Sequence, residues 1–202
     1  MTLMQRRFVP VIALALVSAS LLGPIGSLNA IAAEYDVEQL EIIDELATMM
    51  EAEAVNPLEA SVKLLTLAQM ELREEVLAEA APAEWSVIAA YVVNLLVGPE
   101  DEHFDEEYAL ASIKYGEGAI AYVEAIAGAK KEDFADVDLA ALVEEGDETA
   151  ETEALLRLLL ARNLLLQEDV DGEVLTAAER QITEALKLLQ DLIDRKSTRL
   201  NS

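Results

Sequence analysis

The sequence contains no cysteine and a single histidine, His103. The first absence excludes disulfides, cysteine-ligated zinc, iron–sulfur clusters and c-type haem attachment. The second leaves no multi-histidine metal site within one chain and makes His103 the only base available to a Ser-His-Asp triad. Between residues 33 and 193 the serines are Ser61, Ser86 and Ser112 alone, and none lies in a G-x-S-x-G elbow. There is no glycine-rich phosphate loop and no H-E-x-x-H. Glutamates are so numerous that no carboxylate pair singles itself out for glycoside chemistry. The expectation is a protein that is not an enzyme. Basic residues are also scarce: 14 Lys and Arg stand against 40 Asp and Glu, a formal net charge of −26.

The two ends differ in kind from the middle. Residues 1–32 hold no acid, and Arg6 and Arg7 precede an apolar run from Phe8 to Leu22. Gly23, Pro24 and Gly26 follow, then the small-residue stretch Ala30-Ile31-Ala32-Ala33. A basic start, an apolar middle and an A-x-A end describe a secretory signal, with cleavage expected after Ala32 or one residue later. The run is short for a membrane span and is interrupted by Pro10 and Pro24. The expected location is therefore the periplasm or cell exterior, with no stable membrane insertion after cleavage.

At the other end, Asp194-Arg195-Lys196-Ser197-Thr198-Arg199-Leu200-Asn201-Ser202 is spelled by GAT CGG AAG AGC ACA CGT CTG AAC TCC, the read of a common sequencing adapter. Residues 194–202 are therefore expected to be a translated artefact of an assembled environmental read, with the natural gene interrupted near residue 193. The expected organisation is a signal at 1–32 and one acidic domain at 33–193, long enough for a single core.

Within 33–193 there are 39 acids and nine bases, a net charge of −30. Such a field repels nucleic acids and anionic membrane surfaces and attracts cations and basic proteins. Solubility in salty water accounts for it most simply, because salt screens the mutual repulsion. A binding surface for a basic partner is the other reading.

No segment keeps a period of two, and helix signals dominate. Val37, Leu40, Ile43, Leu46 and Met50 recur at three- and four-residue steps and predict a helix over 37–53. Asn56-Pro57-Leu58-Glu59 offers a cap, a proline at the first helical position and a glutamate that can reach back, opening a helix that continues through Leu65, Leu72 and Val76 towards Ala80. Pro82 starts the next, whose span Trp85–Val97 is apolar all round and is expected to be central. Gly98-Pro99 stops it.

An acidic linker, Glu100 to Glu107, leads to a helix over 106–127. Gly116 and Gly118 either weaken that helix or mark close contact with another one. Gly128 with Lys130 and Lys131 closes it, the cations meeting the negative end of the helix dipole. A short helix at Leu139–Glu145 ends at Gly146. A leucine-dense helix covers 148–167, and another starts at Thr176, where Thr176-Ala177-Ala178-Glu179 reads as a capping box. The expected fold is all-α, about seven helices in a bundle or in stacked helical hairpins.

Three patterns could carry chemistry. Asp169-Val170-Asp171-Gly172-Glu173, with Glu179 beyond, lies between two helices and resembles an EF-hand or dockerin calcium loop. That resemblance implies Asp169, Asp171 and Glu173 as alternating oxygen ligands and Glu179 as the closing one, calcium being a cation that takes six to eight oxygens. The glycine expected after Glu173 is missing, and setting Gly172 at that place puts Ala178 at the closing position. The second pattern is His103 among Glu100, Asp101, Glu102, Asp105, Glu106 and Glu107, a set of divalent-metal ligand types without a defined geometry.

The third is Leu65-Thr66-Leu67-Ala68-Gln69 with the partial Leu175-Thr176-Ala177-Ala178-Glu179. These resemble the paired LTxxQ motifs of the Spy/CpxP periplasmic chaperones, a small, helical, exported family. The second copy lacks the glutamine, the first sits in mid-helix, and the chain is not basic. The reading that follows is an exported acidic helical protein with a non-catalytic binding or scaffold role through protein–protein contacts. It needs no cofactor, and its partner is a protein, basic if the surface charge is used. A calcium-binding helical module and a Spy/CpxP-like chaperone are the alternatives.

Overall fold

The computed structural model describes residues 37–51, 55–109, 116–146 and 148–200, so the expected signal at 1–32 lies outside the described residues. The described chain is all-α, as the periodicity predicts. Its eight α-helical segments are α1 (Val37–Glu51), α2 (Pro57–Glu71), α3 (Glu74–Glu79), α4 (Trp85–Val97), α5 (Ala119–Ala127), α6 (Leu139–Glu145), α7 (Ala150–Leu165) and α8 (Gly172–Leu200), and no strand occurs among the described residues. None of these helices is long and apolar enough to cross a membrane.

One helical pair and one hub helix organise the core. α7 and α8 form an antiparallel hairpin, and both helices carry apolar residues closed off from water, among them Leu155, Leu156 and Leu159 on α7 and Leu175, Ala178, Ile182, Ala185 and Leu189 on α8. Arg157 ties the pair together, donating to Glu153 on its own helix (Nη2–Oε1 2.7 Å) and to Gln181 on α8 (Nη1–Oε1 3.1 Å). α2 is the hub of the other half and packs on α1, α4, α5 and α8. It starts where the sequence places it: Asn56 accepts the Leu58 N–H at 3.1 Å, and Pro57 fills the first position, where no N–H is needed. Truncating one of its fully buried leucines, Leu64 or Leu65, to alanine removes about 2–5 kcal/mol.

Four boundaries and faces differ from the sequence reading. On α1, Val37 and Leu40 are exposed (70% and 46%), and the face that meets α2 is carried by Gln39 and Leu46 instead. Gln39 donates to Glu71 on α2 (2.7 Å), and Lys63 and Glu45 pair across the same seam, so polar contacts rotate the apolar stripe partly out. The second difference is a break in the helix over 57–80. Arg73 takes an extended conformation (φ −57°, ψ 141°), which separates α2 from α3. Leu72 stays in the core at 1% exposure while Arg73 and Glu74, which have nothing apolar to bury, are exposed.

The third concerns the segment read as a helix over 106–127. A 3₁₀ turn at Glu106–Tyr108 and the helix α5 from Ala119 are seen, and residues 110–115 lie outside the described set. Gly118 precedes α5 in an extended conformation because its backbone lies on that of Gly98. A Cβ at Gly118 would come within 2.3 Å of the Val97 carbonyl carbon and 2.4 Å of the Gly98 nitrogen. Of the two readings of these glycines, close contact with another helix is the one realised at Gly118. Fourth, α8 starts at Gly172, not Thr176. Thr176 is already inside the helix, and its hydroxyl donates back to the Gly172 carbonyl at 2.7 Å.

The second half of α4 is central as expected: Val92 through Leu96 are all buried, whereas Ser86 near its start faces water. α6 has the predicted bounds and the predicted glycine, Gly146, in the left-handed conformation at its end (φ 65°). α8 extends through residues 194–200, where the side chains of Asp194, Arg195, Lys196 and Thr198 are exposed.

Candidate functional site

The acidic linker after α4 is held in place by one buried amide. Asn94, 2% exposed, donates from Nδ2 to the Asp105 carbonyl (2.7 Å) and accepts the Asp105 N–H on Oδ1 (2.8 Å). Both hydrogen-bonding sides of the amide are thereby used, as burial requires. The Gly98–Gly118 backbone contact fixes the other end of the linker. Between these two anchors Asp101 turns inward. Its side chain is 8% exposed and receives the Lys131 ammonium at 2.5 Å, while its other oxygen accepts the His103 backbone N–H at 3.0 Å.

Burial alone would raise the Asp101 carboxyl. The hydrogen bonds from Lys131 and from the His103 N–H, with the neighbouring positive charge, outweigh it and hold the group below the ordinary carboxylate value of 3.8. Lys131 is held from its other end, its backbone N–H donating to Glu124 on α5 at 2.5 Å. Its ammonium thus serves Asp101 in the linker, a partner that the sequence position beside Gly128 does not suggest.

Around this pair lies a cleft of about 220 Å³. Its polar rim is Asp101, Glu102, His103, Lys131 and Glu132; its apolar floor is Phe134, Leu139 and Leu159; Arg162 and Asn163 close it from α7. A second, smaller space of about 30 Å³ is lined by Val97, Ile120, Ala121 and Glu124 and shares Asp101, Lys131 and Arg162 with the cleft. Arg162 is half-buried, and its Nε and Nη2 donate to Asn163 Oδ1 at 3.3 and 3.1 Å. No carboxylate among the described residues lies within ion-pair distance of it, unlike Lys63, Arg73, Lys131, Arg157 and Lys187. His103 lies 3.8 Å from Glu102.

Two of the four residues of the calcium-loop resemblance, Asp171 and Glu179, carry hydrogen bonds within α8. Asp171 caps α8, its Oδ1 accepting the Glu173 and Val174 N–H groups at 2.9 Å each. Glu173 is in the first turn of α8, and Glu179 stands six residues further along, about 9 Å up the axis. Glu179 accepts the Thr183 hydroxyl at 2.7 Å. Asp169 is exposed in the connection before the helix. The helix start at Gly172 straightens the segment that a calcium loop would need curved. Among the described residues no three carboxylate or imidazole side chains converge as ligands, and this covers both Asp169, Asp171, Glu173, Glu179 and the run around His103.

The LTxxQ-like residues are likewise spent inside the fold. Leu65, Leu67 and Ala68 are buried, Thr66 donates back to the Val62 carbonyl (2.8 Å), and Gln69 donates to Thr183 on α8 (2.7 Å). Sequence reasoning reaches Asp101 and His103 through the acidic run but passes over Arg162 and Asn163, whose only sequence signal is a base followed by an amide on a leucine-dense helix. Comparison of the chain with protein-family models, with curated proteins and with solved structures gives no match.

Proposed function

We propose that this protein is an exported, acidic, all-α binding protein without catalytic activity, which holds a basic amphipathic segment of a partner protein on the outer face of α1. The observation that carries this reading is the exposure of Val37 and Leu40, one helical turn apart, beside the exposed carboxylates Glu41 and Asp44, while Glu38 and Glu45 on the flank are paired with Arg73 and Lys63. An apolar pair on a solvent-facing turn lowers its free energy when covered. The carboxylates around it choose the sign of the cover. A partner helix with two or three apolar anchors and flanking lysines or arginines meets both conditions. The surplus of acids over bases in the rest of the chain adds a long-range attraction that speeds encounter and weakens with salt.

The test uses the full chain and two synthetic peptides of equal charge, a lysine-rich amphipathic helix and a lysine-rich peptide without apolar residues. Binding of each is followed by fluorescence anisotropy at low and at physiological salt. The amphipathic peptide is expected to bind at least tenfold tighter than its apolar-free counterpart, and the double variant Val37→Asp, Leu40→Asp to remove that advantage. Equal affinities for the two peptides, or an advantage that survives the double variant, would overturn the α1 face as the docking site. Self-association of the chain that the same variant abolishes would overturn the heterologous partner.

A further inference from the structure

We propose that the cleft between the 98–108 linker and α7 binds an amphiphilic organic monocarboxylate, with its carboxylate on the Arg162 guanidinium and its apolar body against Phe134, Leu139 and Leu159. This site is separate from the α1 face and does not depend on it. Arg162 is the starting point. In a chain with almost three acids for every base, five of the eight described lysines and arginines up to residue 193 have a carboxylate at ion-pair distance, and the three without one are Arg162 and the exposed Lys130 and Arg180; beyond residue 193, Arg195 and Lys196 are likewise exposed and without an ion pair among the described residues.

Arg162 is half-buried, at a cleft wall, and among the described residues its guanidinium is bonded only to the neutral oxygen of Asn163. That contact occupies Nε and one Nη2 proton. The edge formed by Nη1 and the second Nη2 proton remains, and this planar fork matches a carboxylate.

The rest of the lining narrows the class. Asp101, Glu102 and Glu132 also border the cleft. Lys131 is committed to Asp101, so it neutralises that carboxylate and contributes no spare charge. A dianion such as phosphate would meet Glu102 and Glu132, with Glu124 on the far side of Arg162, and have one guanidinium to offset two charges, whereas a monoanion is matched by that one guanidinium. The floor is hydrocarbon: Leu139 and Leu159 are nearly closed off at 8% and 2%, and the Phe134 ring is half-buried. A bare carboxylate would leave the half-buried Phe134 side chain uncovered, and a neutral apolar molecule would leave Arg162 without a counter-charge. The volume, about 220 Å³, is below the ~300–1,000 Å³ of drug-sized sites and suits one ring or a short alkyl chain.

The probe is phenylacetate, titrated into the isotopically labelled full chain and followed by amide chemical shifts at fixed ionic strength, with acetate and inorganic phosphate as controls. The expected result is saturable binding of phenylacetate with shifts centred on residues 131–139 and 159–163, at least tenfold tighter than acetate or phosphate. Arg162→Gln is expected to weaken it tenfold or more, and Arg180→Gln to leave it unchanged. Ala135→Trp, at an exposed position on the cleft rim, blocks the space without touching the guanidinium and is expected to abolish binding. Phosphate binding as tightly as phenylacetate would overturn the carboxylate class. Shifts elsewhere, indifference to both Arg162→Gln and Ala135→Trp, or no saturation below the millimolar range would overturn the site.

Discussion

The connection from Gly98 to Tyr108 carries six carboxylates, and the one from Leu166 to Asp171 carries three. In the first, a buried amide and a glycine–glycine backbone contact clamp the chain, one aspartate turns inward onto a lysine, and a cleft opens beside it. In the second, the acids face water, and the only structural work done by a side chain is the capping of α8 by Asp171. Both connections look alike as acidic runs between helices. They part company over what the rest of the fold brings to them: Lys131 and Arg162 come to the first from 30 and 61 residues further along the chain, and among the described residues no base forms an ion pair with the acids of the second. In a chain this acidic, carboxylates mark solvent, and the scarce cations mark places where something is held.

The strongest way to break the comparison is to make one substitution in both places. Gly118→Ala puts a Cβ against the backbone of Val97 and Gly98, atoms that cannot rotate aside. It is expected to cost about 3 kcal/mol through overpacking, read as a lower midpoint in urea unfolding. Gly172→Ala, at the start of α8, meets only the Trp85 ring edge at 3.7 Å, an ordinary contact. There alanine is expected to be neutral or to stabilise by up to about 1 kcal/mol, since it favours helix. Equal losses at the two positions would mean that the 98–108 linker is no more tightly framed than its counterpart.

A smaller effect separates the two aspartates by pH. Asp101→Asn removes a charge-assisted hydrogen bond to Lys131, worth about 1.5–3 kcal/mol, while asparagine can still accept the His103 N–H, so the lower end is expected. The native carboxyl titrates below its ordinary value of 3.8. A depressed folded-state pKa gives stability that is complete above the unfolded value and is lost as pH falls through the folded one. The gap between wild type and Asp101→Asn is therefore expected to be constant near neutral pH and to close as pH drops below about 4. Unfolding midpoints at pH 7, 5 and 3 measure it. A gap that persists unchanged at pH 3 would show that the lost contact is not the ion pair.

The fold was legible in the sequence where a local rule decides a boundary. Asn56-Pro57, Gly98, Gly128 and Gly146 mark ends that depend on one residue's conformation or one side-chain cap. It was not legible where a distant contact decides. Arg73 is as good a helix former as its neighbours, and the break there follows from Leu72 going inward while the charges after it turn out. Thr176 has the residues of a capping box, but Asp171 offers α8 an earlier cap and extends the helix past it. The cleft follows the same division. Asp101 and His103 stand out within an acidic run, whereas Arg162 acquires meaning only when α7 is laid beside the linker, and no spacing in the sequence encodes that.

The smallest expected effect tests the second connection directly. Asp171→Ala removes two capping hydrogen bonds from the start of α8 and is expected to cost about 1 kcal/mol, seen as a lower thermal midpoint. The same melts run with calcium, with magnesium and with chelator at matched ionic strength decide what the capping means. A ligand that binds only the native state raises the midpoint by mass action. With Asp171 committed to the helix start and Glu179 two turns up α8, calcium and magnesium are expected to act alike, through screening of the excess negative charge, in wild type and in Asp171→Ala. A rise for calcium alone that disappears with Asp169→Asn would require the first turn of α8 to unwind around the ion. The two connections would then differ in which cation each holds, a metal in one and side chains of the chain itself in the other.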